Sequence, residues 1–460
     1  MDEYTIPDEA RHYSGSASLA ALGVHLQQRD LFGPVRQTVR IPQKTIKYPP
    51  VEKLYDALIT ILAGAHGLVE VNTRLRSDWA LQRAFGRTAC AEQSVVQDTL
   101  DACTAQTVTQ MQQALDTIYR LHSAGYRHDY GKAWQLLDVD LTGMPCGPKA
   151  ALATKGYFAK QRYRRGRQLG RVLATLYQEI PVDQLFAGNI YLRTALQPLI
   201  SATEQTMDLD ESKRTRTIVR IDAGGGSVDD INWVLQRGYQ VHAKDYSGER
   251  ASVLTKSVSA WVDDPRLPDR QLGYVTVEAT EYVRPVRRLA ARCRRKDGQW
   301  AVGVIISSLT PEDVLALTSM PPDKLSDDQA VLCAYVYFYD QRGGGVETAI
   351  KEDKQGLGIT KRNKKRFEAQ QMVMLLGVLA HNILIRERRW LAAKQPKLMS
   401  YGILRLVRDV FHMSGFVVCD PAGHIRQILL NQAAPLVKEL VAAWRELLDP
   451  TQIAIISGEI

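Results

Sequence analysis

The stretch from Thr217 to Ala243, TIVRIDAGGGSVDDINWVLQRGYQVHA, decides the fold class of this chain. The β-branched run Thr217–Asp222 predicts a strand that ends in Asp222 and a glycine-rich turn. A helical period then covers Val228–Gly238, and Tyr239–Ala243 predicts the next strand. Strand, turn, helix and strand in this order are typical of a βαβ unit, so we expect an α/β protein.

Two further strands are predicted before this unit. Gln135–Asp140 (QLLDVD) is a short apolar run, and the period of two places Asp138 and Asp140 on one face of it. Arg171–Tyr177 (RVLATLY) is another strand candidate. Both precede the βαβ unit, so the α/β domain is predicted to begin near residue 131.

The rest of the chain divides into segments of different pattern. Proline breakers make the first fifty residues irregular, and a longer helix is predicted from Ser94, where the sequence fits a capping box. Residues 246–309 are rich in β-branched residues, with a hairpin turn at Asp297-Gly298, and indicate an all-β insertion. We therefore predict an irregular arm (1–50), a helical domain for which DNA binding is one interpretation (51–130), the first part of the α/β core (131–245), a β-rich insertion (246–325), the helical second part of the core (326–400), and a C-terminal hairpin and helix (401–460).

Composition excludes several classes of protein. The 460 residues are 45% hydrophobic and 24% charged, as in soluble globular proteins, and this length suggests roughly two to four domains. The longest apolar stretch, Met372–Ala380, is much shorter than the ~20 residues of a membrane-spanning helix, and the N-terminus lacks the apolar segment of a secretory signal. The six cysteines form no C-x-x-C pair and show no zinc spacing, so we expect reduced thiols in a cytoplasmic protein.

Positive charge is concentrated in three runs that contain no acidic residue. The net charge is +9, and the runs Lys160–Arg171, Arg284–Lys296 and Lys361–Arg366 carry six, seven and five basic residues. A single run of this kind is usually a solvated face. Three such runs on one chain favour a polyanionic partner, because each neutralised phosphate releases counterion.

Acids at the ends of predicted strands are the candidates for chemistry. Asp140 and Asp222 each follow an apolar strand, and a third acid lies within Glu347–Asp353 (ETAIKED). Three such carboxylates can hold two Mg²⁺ ions about 4 Å apart for phosphoryl transfer, since Mg²⁺ prefers hard oxygen ligands. An isolated Asp after a strand is more often a helix cap or turn residue. The glycine turn after Asp222 could instead bind phosphate, but it matches neither GxGxxG nor GxxxxGKS/T, so nucleotide binding ranks low.

Three blocks of sequence together resemble the catalytic blocks of bacterial insertion-sequence transposases of the DDE type. They are Leu136–Pro145 (LLDVDLTGMP), Val219–Gly226 (VRIDAGGG) and Tyr339–Lys354 (YDQRGGGVETAIKEDK). The most similar group has an RNase H-like core, a β-rich insertion before the catalytic Glu, and a Tyr-Arg-Glu-Lys signature around that Glu. The resemblance covers residues 50–400 in outline and implies an α/β fold with an RNase H-like core, split by the insertion.

Position by position, the resemblance implies that Asp140, Asp222 and Glu347 are the catalytic, metal-binding acids. Asp140 is favoured over the alternative Asp138 because Leu141-Thr142 follows it, and in the family the first Asp precedes a Thr or Ser by one or two residues. Asp222 matches the second acid without a competitor.

The Tyr-Arg-Glu-Lys signature is irregular at one point. Tyr339 and Arg342 match it, as do Glu347 and Lys354, but four residues separate Arg342 from Glu347 where the family has three. We expect the glycine run between them to absorb the extra residue in a loop. Glu347 and Lys354 share one helix face with Lys351.

Further side chains complete the expected site. Glu352 lies about 140° around the helix from Glu347 and is the alternative third acid. Arg342 is expected to clamp a phosphate, because its guanidinium fork matches phosphate oxygens bidentately. The residues expected to contact DNA come from the signature and the first basic run: Tyr339, Arg342, Lys351, Lys354, Arg162, Arg164 and Arg165.

The resemblance implies a transposase that cuts DNA at element ends and joins the 3′ ends to target DNA with two Mg²⁺ ions, for which Mn²⁺ can substitute. Its partners would be double-stranded DNA, as terminal inverted repeats and as target, and a second copy in a homodimer; no membrane partner is expected. We expect a bacterial cytoplasmic location, at the nucleoid when bound to DNA. Two alternatives stay open: a catalytically inactive DNA-binding protein of transposase descent, and an RNase H-like nuclease without strand transfer.

Overall fold

A computed structural model describes residues 10–44, 47–158, 161 and 163–456. The chain forms two units. We call residues 1–123, 145–153 and 349–460 the terminal unit, and residues 124–144 and 154–348 the central unit.

The regular elements of the described residues are as follows. The helices are α1 (Ala17–Gln28), α2 (Gly33–Thr38), α3 (Pro50–Leu62), α4 (Trp79–Ala84), α5 (Gln93–Asp101), α6 (Ala105–His122), α7 (Leu192–Met207), α8 (Glu211–Thr215), α9 (Val228–Gln236), α10 (Gly248–Leu254), α11 (Pro311–Leu317), α12 (Asp328–Arg342), α13 (Thr348–Gly356), α14 (Phe367–Lys394), α15 (Ile403–Arg405) and α16 (Val437–Leu447). The strands are β1 (Arg11–Ser14), β2 (Gln135–Pro145), β3 (Thr154–Lys155), β4 (Arg165–Ala174), β5 (Glu179–Ala187), β6 (Thr217–Ile221), β7 (Gln240–Lys244), β8 (Val262–Asp263), β9 (Arg270–Tyr274), β10 (Arg287–Arg294), β11 (Trp300–Ser307), β12 (Gly415–Cys419), β13 (Ile425–Asn431) and β14 (Ile453–Ile456).

The long helix α14 is the centre of the terminal unit. It packs against α3, α5, α6 and α16. By length and composition it could cross a membrane, but 89% of its most apolar window is buried inside the protein, as expected of a core helix. A four-stranded sheet in the order β1-β12-β13-β14 completes the unit, and the predicted C-terminal hairpin is the pair β12 and β13.

The described part of the first fifty residues differs from the irregular arm that we expected. β1 pairs with β12, and α1 is buried along most of its length. The prolines mark helix starts instead of preventing helices. Pro34 and Pro50 lie in the first turns of α2 and α3, where a missing backbone N–H leaves no hydrogen bond unmade.

The helix predicted from Ser94 is divided into α5 and α6. The side chain of Thr104 accepts a hydrogen bond from the backbone N–H of Thr107 at 3.2 Å, so a new helix is capped there. The sequence from Ser94 therefore forms two helices where we expect one longer helix.

A ten-stranded sheet forms the central unit. Its order is β3-β4-β2-β6-β7-β11-β10-β9-β8, and β5 also pairs with β4. β2, β6 and β7 are parallel neighbours, and α9 connects β6 to β7 as the predicted βαβ unit. The prediction of a mixed α/β fold is confirmed.

Residues 246–325 differ from the all-β insertion that we expected. β11 pairs with β7 in antiparallel register, with Ile306 opposite Ala243, and β10, β9 and β8 follow in order. The segment also contains α10 and α11. Its strands thus extend the sheet of the core, because β7 would otherwise leave unpaired backbone groups along an edge.

Candidate active site: an acid cluster bridged by an arginine

Asp140 and Asp222 lie side by side at neighbouring strands. β2 and β6 are parallel, and Val139 is opposite Ile221. Asp140 follows Val139 within β2, and Asp222 follows Ile221, the last residue of β6. The side chain of Asp222 caps nothing in the turn that follows it, so the interpretation of this residue as a helix cap does not apply.

Arg342, the last residue of α12, joins the first acid to the third. Its Nη2 lies 3.3 Å from Oδ1 of Asp140 and donates to the carbonyl of Val139 at 2.8 Å. Its Nη1 donates to Oε1 of Glu347 at 3.0 Å. The guanidinium is buried, whereas the side chain of Glu347 is 57% exposed. One buried cation thus holds two candidate catalytic carboxylates together.

The glycine run between Arg342 and Glu347 interrupts the helix with a kink, because Gly345 has a φ of −90° and a ψ of −106°, which are not helical. The kink lies where we expect the glycine run to absorb the extra residue, and Arg342 stays in contact with Glu347 across it. Gly345 is required by a close approach, because a Cβ atom there would lie 2.5 Å from Oδ2 of Asp138.

Tyr339 orients the second acid. Its hydroxyl donates to Oδ1 of Asp222 at 3.0 Å. Burial, followed by the nearby Asp222 carboxylate, raises the pKa of Tyr339 well above its usual range, so the hydroxyl stays protonated and remains a donor. That Tyr339 contacts DNA stays a prediction; in this structure its hydroxyl bonds Asp222.

Asp138 forms a buried ion pair with Arg220. Its two oxygens accept from Nε and Nη2 of Arg220 at 2.6 and 2.8 Å, and its side chain is 0% exposed. Arg220 lies directly opposite in the register and also donates to the carbonyl of Phe338 at 2.8 Å. The pair therefore ties β2, β6 and α12 together, and Asp140 is the acid left for chemistry. Sequence reasoning missed Arg220, although a single charge within the apolar run TIVRI was a signal.

Electrostatics show that the three acids influence one another. Burial raises the pKa of Asp140; Arg342 and the backbone N–H of Leu141 oppose this, and the charges of Glu347 and Asp222 add to it. Burial disfavours the charge of Arg342, but the carboxylates around it, Asp140 first, outweigh burial and raise its pKa. The cluster is an anionic site that one internal cation partly neutralises.

The carboxylate oxygens of Asp140, Asp222 and Glu347 are hard donors of the kind that divalent cations such as Mg²⁺ prefer. Within the described ranges, however, no group of three or more His, Cys, Asp or Glu side chains is arranged to hold a metal ion. The positive charge between Asp140 and Glu347 is that of Arg342.

The alternative third acid has a different role. Glu352 belongs to the terminal unit, where its Oε2 accepts from the backbone N–H of Leu404 at 2.8 Å in the first turn of α15. Lys351 is exposed and Lys354 is half-buried, and both also belong to the terminal unit.

The first basic run is only partly a surface feature. Arg162 lies outside the described residues. Arg164 and Arg165 are exposed where β4 begins, but Arg171 is buried in β4 and forms two hydrogen bonds with Asp183, at 2.8 and 2.7 Å. Among the described residues of this run, Arg164 and Arg165 are therefore exposed, whereas Arg171 has a structural role.

The basic runs Arg284–Lys296 and Lys361–Arg366 also contain side chains that pack within the protein. Arg292 stacks on Trp261 and Trp300, with its guanidinium carbon 4.2 and 4.5 Å from the ring centroids. In the third run Arg362 and Lys364 are buried; burial, followed by the charge of Arg362, lowers the pKa of Lys364 to about 8. Charge runs in the sequence therefore overstate the cationic surface.

Comparison with known proteins gives limited information. No family model matches the chain, and no curated protein matches it. Among solved structures, the chain is similar to a piggyBac transposase determined by cryo-EM as a synaptic complex with hairpin DNA. The identity is 11%, the match covers 95% of this chain and 84% of that chain, and the TM-score is 0.44. So distant a likeness assigns no residue of the site, whose roles follow from its own geometry.

Proposed function

We propose that this protein is a DNA transposase of the DDE type, with Asp140, Asp222 and Glu347 as the catalytic acids of an RNase H-like core. The observation that carries the proposal is the convergence of these acids. The register of β2 and β6 sets Asp140 beside Asp222, and Arg342 links Glu347 to Asp140. Hard oxygen donors from β2, from the end of β6 and from the turn before α13 suit phosphoryl transfer on DNA.

The three acids are the residues that would hold Mg²⁺, or Mn²⁺ in its place. The chemistry that such ions supply is activation of a water or 3′-hydroxyl and stabilisation of the leaving oxygen. Arg342 has to exchange partners for this, because its guanidinium now neutralises Asp140 and Glu347. A DNA phosphate can take over that guanidinium bidentately, so binding of DNA frees the carboxylates.

Two other contacts hold the aspartates of the site in position. Tyr339 fixes the orientation of Asp222 through its hydroxyl. The Asp138–Arg220 pair fixes the strands that carry both aspartates and, through the carbonyl of Phe338, the helix that carries Arg342. The acids are thus held by rigid elements, as catalytic preorganisation requires.

The partners and location follow from this activity. We infer that the protein binds duplex DNA at terminal inverted repeats and at target sites, acts as a homodimer, and works in the bacterial cytoplasm. The exposed Arg164 and Arg165 support the DNA partner, because exposed guanidinium groups bind phosphate without sequence preference.

The test is incubation of the purified chain with a duplex that carries the inverted repeats flanking its gene, with Mg²⁺ or with a chelator. Metal-dependent nicking at the repeat end, followed by joining to a target plasmid, is the expected result. Nicking without joining would favour an RNase H-like nuclease. DNA binding without nicking would favour an inactive protein of transposase descent.

A further inference from the structure

The terminal unit contains an open cleft that the acid cluster does not use. Its volume is about 660 Å³. One wall is the segment from Lys397 to Ser414, and the other is the segment from Asn431 to Leu436. This volume lies within the roughly 300–1,000 Å³ that is usual for ligand-binding clefts.

Positive charge dominates the lining. Lys397, Arg405 and Arg408 are exposed, and Asp409 is the acid among the lining residues. Asp409 lies 3.3 Å from Nε of Arg405 and 2.6 Å from Nε of Arg408, and these ion pairs, Arg408 first, lower its pKa. The lining has three cationic side chains and one carboxylate, so the net charge of the cleft is positive. Burial, followed by Arg74, lowers the pKa of His412, so this histidine adds donors but no charge at neutral pH.

The arginines are held in place before any ligand binds. The guanidinium carbon of Arg405 lies 3.7 Å from the ring centroid of Tyr401, and Tyr401 itself is buried. Arg408 projects from a π-helical turn, Leu406–Phe411; such turns are frequent at functional sites. Because Arg405 covers the ring, the cleft favours a phosphate over a base stacked on Tyr401.

The opposite wall carries a second irregular feature. α16 begins there with Leu436 at its N-cap, and this residue has a φ of 64° and no side chain that can cap the helix. A leucine in the left-handed region is strained, and such residues cluster at ligand sites. The uncapped helix start adds a weak attraction for anions.

We propose that this cleft binds phosphate groups of the DNA backbone and is a DNA contact of the terminal unit. The inference rests on the proposed function, since DNA is the polyanion that a transposase handles. Asp409 accepts from Nε and Nη2 of Arg408 and from Nε of Arg405, so the remaining N–H groups of the two guanidinium groups are the donors for phosphate oxygens. Lys397 adds a mobile point charge.

The experiment compares two triple variants with the wild type. Lys397→Gln/Arg405→Gln/Arg408→Gln removes the cleft cations. Lys394→Gln/Arg426→Gln/Lys438→Gln removes three exposed cations of the same unit that do not line the cleft, so the change in net charge is equal. Fluorescence anisotropy with a labelled duplex of random sequence measures affinity from about 50 to 200 mM salt.

We expect the cleft variant to lose about 2–3 units of the salt slope, at about 0.9 per phosphate contact, and to bind about 10–100-fold more weakly. The matched control should keep the wild-type slope. Lys397→Gln/Arg408→Gln spares the stack on Tyr401 and should still lose up to about 2 units, which separates a binding effect from misfolding.

An unchanged slope in both cleft variants overturns the inference and leaves the proposed function standing. Calorimetry with inorganic phosphate adds a second arm. Loss of phosphate binding with an unchanged DNA slope would mean that the cleft takes a free phosphate ligand, which also overturns the inference. If the wild type fails to bind any duplex, the proposed function itself fails.

Discussion

Gly345→Ala tests how closely the turn before Glu347 fits the buried ion pair beneath it. A Cβ atom at Gly345 would lie 2.5 Å from Oδ2 of Asp138 and 3.1 Å from Cγ2 of Thr175. Asp138 cannot retreat, because Arg220 holds both of its oxygens. Overpacking at such a site costs about 1–3 kcal/mol. With a cost of about 2 kcal/mol, the Tm of a unit of this size should fall by about 4–8 °C.

Gly344→Ala is the matched control, because a Cβ atom at Gly344 meets nothing within 4 Å. Alanine is favoured over glycine in helical backbone by up to about 1 kcal/mol, so this variant should keep or raise the Tm. Differential scanning calorimetry of both variants measures the difference. Equal shifts in the two proteins, or an unchanged Tm for Gly345→Ala, would show that the turn does not press on the ion pair.

Three further perturbations address charge. Burial raises the pKa of Asp140 above its usual value of 3.8, so the stability that the protonated carboxyl contributes in acid is lost as the pH rises. Asp140→Asn should therefore stabilise the protein at neutral pH but not in acid. Parallel pH profiles of the free energy of unfolding for the variant and the wild type would contradict this. Arg220→Met leaves the Asp138 carboxylate buried and unpaired, which should lower the free energy of unfolding, measured in denaturant, by about 3–5 kcal/mol. A loss below about 1 kcal/mol would show that Asp138 finds another partner. Neutralising Arg164 and Arg165 together should flatten the salt dependence of DNA binding by up to about 1.8 units, and an unchanged slope would mark these arginines as solvated surface.

The sequence predicts the βαβ unit of the central unit because its signals are local. The β-branched runs and the helical period between them predict β6, α9 and β7 to within two residues at each end. The expectation that a strand ends at Asp140 is wrong, because β2 continues to Pro145. Asp140 and Asp222 are adjacent because β2 and β6 pair in register up to Val139 and Ile221.

Other features depend on tertiary contacts that no local pattern contains. The kink at Gly345 brings this residue close to Asp138, and the spacing alone does not predict that contact. The partner of a buried charge is set by strand register, so the pairing of Asp138 with Arg220 appears only when β2 and β6 are aligned. For the same reason the basic runs predict a cationic surface even where their arginines are buried in strands.

The expected irregular N-terminal arm and separate β insertion have a common physical explanation. Proline and β-branched residues describe local backbone preference, whereas α1 is stabilised by burial and β11 by pairing with β7. Tertiary packing overrides weak local preference in both segments.

The most direct test of the acid cluster compares Glu347→Gln with Glu352→Gln in Mg²⁺-dependent cleavage of an element-end duplex. Both changes remove a charge with little change of shape, and a glutamine at 352 can still accept from the backbone N–H of Leu404. We predict that Glu347→Gln abolishes cleavage but keeps folding and DNA binding, and that Glu352→Gln cleaves as the wild type does. Cleavage by Glu347→Gln at the wild-type rate would contradict the assignment of Glu347 as the third catalytic acid, and loss of cleavage in Glu352→Gln alone would transfer that role to Glu352.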